Sequence, residues 1–151
     1  MPEGGGISVF VIMGTDRFSE SKRATESRMS YELRIEEEDR LVSVTATCLL
    51  NNNIRRNILD DINAVFHEKN YAKALIDLRE AVFDPAEPIV GAVDLTIHLN
   101  RIRMKFDSKL AFVYTDAEEH RKSFEIIANK FNYRVQYFKK LEDARSWLLG
   151  N

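Results

Sequence analysis

The stretch "ALIDLREAVFDPAEPIVGAVDLTIHL", residues 74–99, decides the fold. Its first part, Ala74-Leu75-Ile76-Asp77-Leu78, is a compact, nearly continuous apolar run of the kind that forms a central strand covered on both faces. A corner follows at Asp84-Pro85-Ala86-Glu87, where Pro85 and Pro88 suit the rigid first turn of a helix. Beyond it the spacing predicts a long helical segment over roughly 85–106. A second apolar run, Leu110-Ala111-Phe112-Val113-Tyr114, then completes a strand, helix, strand unit.

Upstream, Tyr31, Leu33 and Ile35 alternate with charged residues, and Val42, Val44, Ala46 and Cys48 alternate with Ser43, Thr45 and Thr47. Period two marks half-buried strands, and the short acidic link Glu37-Glu38-Asp39 joins them as an antiparallel hairpin. Asn51-Asn52-Asn53 offers an N-cap to a helix carrying Ile54, Ile58, Ile62, Val65 and Phe66 on one face. Downstream, Thr115-Asp116-Ala117-Glu118-Glu119 has the form of a capping box. The helix it opens sets Ala117, His120, Phe124, Ile127, Ala128 and Phe131 on one side. A last strand over 134–138 leads to a terminal helix with Leu141, Ala144, Trp147 and Leu148 on one side.

This order predicts an α/β fold: a mixed, mostly parallel sheet with four to five helices, an N-terminal antiparallel hairpin and one antiparallel strand near its edge. Residues 1–28 read as an appendage, because Gly4-Gly5-Gly6, a short apolar run and then "GTDRFSESKRATESR" share no helical or strand pattern. The appendage is either disordered or an extra edge strand, or its apolar run covers a groove. The domain proper spans 29–151, and Met29 is an alternative start.

Composition excludes several function classes. With 22 basic and 24 acidic residues intermixed and a net charge of −2, no field favours nucleic acid or an anionic membrane. The apolar run at 7–13 is too short to cross a bilayer, so stable membrane insertion is not expected. Cys48, the single cysteine, precludes an internal disulfide, fits a reducing cytoplasm and reads as a small core hydrophobe. No phosphate loop, dinucleotide fingerprint, zinc-protease helix or nucleophile elbow occurs, and the three histidines have no metal-ligand spacing. No catalytic, cofactor or metal residue is therefore assigned. His67, His98 and His120 read as surface or capping residues, and Asp77 as an acceptor for the turn that Arg79 begins.

The segment 89–106 stands out because its apolar residues fall into two stripes. Ile89, Val90, Val93, Ile97 and Met104 form one, and Ala92, Leu95, Leu99, Ile102 and Phe106 the other. One stripe packs on the sheet. The second needs a neighbouring helix, another subunit or an apolar ligand, unless the helix is deeply buried or broken in two. Asp94, His98, Arg101 and Lys105 follow each other as a solvated face. The candidate partner or ligand surface is Asp84, Ile89, Val93, Leu95, Ile97, Leu99, Arg101, Ile102 and Phe106.

The element order, "KALIDLREAVFD", "KLAFVYTD" and the ending "FKKLEDARSWL" resemble SpoIIAA-like proteins of the STAS superfamily over about Met29 to Leu149. The resemblance implies a STAS-like fold, remotely akin to CRAL-TRIO domains, and a binding module more than an enzyme. Anti-sigma-factor antagonists of that superfamily carry Asp-Ser-Ser-Gly where this chain has Asp84-Pro85-Ala86-Glu87, so the phosphorylatable serine is missing. The expectation is a non-enzymatic regulatory or binding module acting through a protein partner or a homodimer. The alternative is a carrier of a small apolar ligand such as a lipid. An enzyme, such as a hydrolase that would have to assemble Asp77, His98 or Asp84 in space, is the weakest reading.

Overall fold

The computed structural model describes residues 8–13, 31–83, 91–115 and 122–150. Along the chain run β1 (Ser8–Met13), β2 (Tyr31–Glu36), β3 (Leu41–Ala46), β4 (Leu49–Leu50), α1 (Asn52–Lys69), β5 (Lys73–Asp77) and β6 (Val82–Phe83). They are followed by α2 (Gly91–Arg101), β7 (Lys109–Val113), α3 (Lys122–Lys130), β8 (Arg134–Phe138) and α4 (Leu141–Leu149). The main sheet has the order β1-β2-β3-β5-β7-β8, and β4 and β6 form a separate two-stranded ribbon. Pairing is antiparallel on both sides of β2 and parallel between β3, β5, β7 and β8. The α/β class and the mixed, mostly parallel sheet are as predicted, with β2 alone running against the rest.

The alternation in β2 and β3 becomes a division of faces. Tyr31, Leu33, Ile35, Val42, Val44 and Ala46 join Ala74, Ile76, Leu110, Phe112 and Val135 in the main core, under α1, α2 and α3. The opposite parity, Leu41, Leu75, Ala111 and Val113, packs with Ala144 and Leu148 of α4. Arg145 fastens α4 to the hairpin, reaching Glu36 at 2.7 Å. From β3 onward every parallel strand is added to the same side of its predecessor. A sheet wound in one direction has no point where strand order reverses, which is where open α/β sheets form their ligand crevice.

Local chemistry sets the helix ends. Asn51 caps α1, its side chain accepting from Ile54 N at 2.9 Å, as its place before the apolar repeat predicts. Helix α2 ends at Arg101, so the prediction of one helix running to residue 106 is corrected. Met104 N donates to Leu99 O and Arg103 N to Asn100 O, with Arg103 at φ 61. This is a Schellman close made without glycine. Burial of Met104 beside Leu99 supplies the apolar contact that compensates a left-handed arginine. Helix α3 closes in the same way, through Tyr133 N to Ala128 O with Asn132 at φ 75.

The far edge of the sheet is blunted by side chains of α3. Glu125 accepts from Tyr137 N and Asn129 donates to Val135 O, each at 2.8 Å. These backbone groups alternate with Phe138, whose carbonyl accepts from Tyr114 on the β7 side, so they point outward from β8. An edge whose outward groups are already bonded is a poor template for another strand.

Candidate functional site

Within α2 the two apolar stripes separate, but past its end they exchange, because the chain leaves the helix after Arg101: Met104 of the first stripe is buried and Phe106 of the second is exposed. Ala92, Leu95 and Leu99 are buried in the main core, and half-buried Ile102 packs against it. Leu95 and Leu99 therefore belong to no partner surface; this correction follows from their facing the sheet and the flanking helices of the same chain. Between α2 and the sheet, the cavity bordered by Leu59, Ile76, Leu95, Phe112 and Phe124 measures only about 10 Å³. That is one water's worth of room in an apolar site.

Of the other stripe, Val93 and Ile97 stay open to solvent. Val93 is 45% exposed and Ile97 49%, and they line a groove with Phe106 at 54% and Phe131 at 61%. Thr96, Asn100, Ile127 and Tyr133 complete its walls, enclosing about 240 Å³. Phe106 leaves the helix with the Schellman close and stacks on Tyr133, ring centroids 4.8 Å apart. Burial pushes the Tyr133 phenol above its ordinary range. Thr96 turns its hydroxyl back to Ala92 O at 3.0 Å, so that hydroxyl is already bonded within the helix. Single exposed hydrophobes are ordinary, and four large ones gathered around one groove make it the candidate site.

Of the nine residues expected at this surface, Val93, Ile97, Arg101 and Phe106 are exposed, Leu95, Leu99 and Ile102 face inward, and Asp84 and Ile89 lie outside the described residues. The corner at 84–87 is likewise outside them. Sequence reasoning missed Phe131 and Tyr133. Phe131 was expected on the core face with Phe124 and Ala128, but it follows α3 in the closing turn, where its side chain is exposed.

The titratable residues singled out in the sequence are engaged structurally. Asp77 accepts Arg79 Nε at 2.9 Å, Arg79 Nη2 at 2.8 Å and the Arg79 backbone N–H at 3.1 Å. Burial raises the Asp77 carboxyl, but the guanidinium beside it outweighs burial and holds the group below the usual carboxylate range. His98 is not on a solvated face: it is buried against α1, with Nε2 2.7 Å from Asp60 Oδ1. Lys105 from the same expected face reaches Asn70 Oδ1 at 3.1 Å. Cys48 is buried, and desolvation pushes its thiol up, away from the reactive thiolate. Among the described residues no group of three or more His, Cys, Asp or Glu side chains is arranged to hold a metal, and no helix is long and apolar enough to cross a membrane.

The chain matches no protein-family model and no curated protein. The groove and its surroundings thus carry the functional argument.

Proposed function

We propose that this chain is a non-enzymatic, SpoIIAA-like binding module whose docking surface is the apolar groove between α2 and α3, and whose ligand is an apolar protein face. The observation that carries this reading is the open stripe of Val93 and Ile97 facing Phe106 and Phe131. An apolar groove with aromatic walls between two helices is the kind of surface into which an amphipathic helix lays its apolar face. The STAS resemblance of the sequence supports a binding role, and the use of Asp77 and His98 in local bonds gives an enzyme reading no support.

Volume argues for a macromolecular ligand over a small one. At about 240 Å³ the groove lies below the roughly 300–1,000 Å³ of pockets that enclose a ligand. An apolar fluorescent probe, anilinonaphthalene sulfonate, tests the site at low protein concentration. Binding to the folded protein that falls severalfold in Ile97→Glu but not in Leu49→Glu, a control at an exposed hydrophobe elsewhere, is the expected result. Absence of binding, or equal binding by both variants, overturns the assignment of the groove.

A further inference from the structure

We infer that the exposed ridge of α2 that forms one wall of this groove pairs with a second copy of the chain, about a two-fold axis that sets the two α2 helices antiparallel. This rests on the reading of the groove as part of a docking surface and names the partner of its α2 wall.

Charge pattern on α2 carries the inference. The exposed residues of the helix are Val93, Asp94, Ile97, Asn100 and Arg101. At 100° per residue Asp94 and Arg101 fall 20° apart, on the flank of the apolar stripe turned away from the groove, with Ile97 midway between them along the axis. Seven residues separate them, about 10 Å of helix. Neither has an Asp, Glu, Lys or Arg of opposite sign three or four positions away, and His98, beside both, is bonded to Asp60 of α1. The two charges are therefore not paired along their own helix.

A two-fold axis crossing α2 level with Ile97 makes an isologous contact, in which each patch meets itself. In the antiparallel arrangement the charged flanks lie on the same side, and Asp94 of each copy stands opposite Arg101 of the other. Val93 and Ile97 of both copies form the apolar centre between these pairs. The parallel arrangement carries the charged flanks to opposite sides of the contact, where each meets the Val93 and Asn100 flank and finds no opposite charge. Electrostatic complementarity thus selects one orientation. The apolar patch is small beside the roughly 800 Å² per partner of a standard interface, so the dimer is a weak, concentration-dependent one.

Light scattering of the full chain over a range of concentrations, with circular dichroism as the fold control, tests the inference. The wild type is expected to double its mass as concentration rises. Asp94→Arg and Arg101→Asp, both at exposed positions, each set like charges opposite one another and weaken the dimer about tenfold or more. The double exchange Asp94→Arg with Arg101→Asp restores the pairing. Each native charge also suits its own helix end, so the double exchange slightly lowers thermal stability while it regains association, a combination that a purely local role does not produce. A wild type that stays monomeric at every concentration, or a dimer indifferent to the single exchanges, overturns the inference. In the first case, retained probe binding at the groove leaves the docking surface standing without self-pairing, and loss of both ends the broader reading as well.

Discussion

His98 and Asp60 meet across the interface of α1 and α2, Nε2 to Oδ1 at 2.7 Å, on the flank of α2 that its sequence marks as solvated. The imidazole is buried and the carboxylate half-exposed, so the bond spans the boundary between core and solvent. Removing the imidazole costs a hydrogen bond and leaves a hole, whereas removing the carboxylate's charge leaves both groups in place. His98→Ala is expected to destabilise by about 2 kcal/mol and Asp60→Asn by about 1 kcal/mol or less. A double-mutant cycle in urea should return a coupling of about 0.5–1.5 kcal/mol.

The division of the two stripes of α2 has a direct energetic consequence. Leu99 is fully buried and Ile97 half-exposed. Leu99→Ala should cost about 2–5 kcal/mol through lost burial and the cavity left behind, and Ile97→Ala within about 0.5 kcal/mol. Equilibrium unfolding of the two variants distinguishes them, and equal costs would mean that the helix is rotated from the orientation described.

Asp77 and Arg79 provide a pH dependence with a defined sign. Because the folded carboxyl sits below its unfolded value, its contribution is complete above the unfolded range, about pH 4, and is lost as pH falls through the lower folded value. Arg79 is well exposed, so the pair contributes only about 0.5–1 kcal/mol. The stability difference between the wild type and Asp77→Asn should be constant above about pH 5 and shrink on acidification. A difference that instead grows at acid pH contradicts the geometry.

The blunted edge of β8 is testable residue by residue. Glu125→Ala leaves Tyr137 N without the carboxylate it donates to, and Asn129→Ala leaves Val135 O without the amide that reaches it. Hydrogen exchange at the Tyr137 amide should quicken about tenfold in Glu125→Ala, and the double variant should aggregate faster than the wild type through strand addition at the opened edge.

Several of these relationships were readable before any coordinates. The apolar runs at 74–78 and 110–114 and the alternation at 31–35 and 42–48 report burial on two faces or on one, and that requirement is written residue by residue. Asn51 as a cap and Asp77 with Arg79 are equally local, since each partner lies within three residues. The chain therefore specified by itself an α/β sheet with an antiparallel hairpin.

What tertiary structure decided was which apolar surface remains open. The two stripes of α2 have nearly the same hydrophobic content, so periodicity finds both and ranks neither; only the positions of the sheet, α1 and α3 bury Leu95 and Leu99 and leave Val93 and Ile97 outside. The helix end at Arg101 carries no glycine or proline to announce it and depends on the burial of Met104 in a core assembled from distant segments. His98 finds Asp60 38 residues away, and Phe106 finds Tyr133, through packing that no local spacing encodes. Burial is specified one residue at a time, but a surface is formed by elements that meet only when the chain is folded.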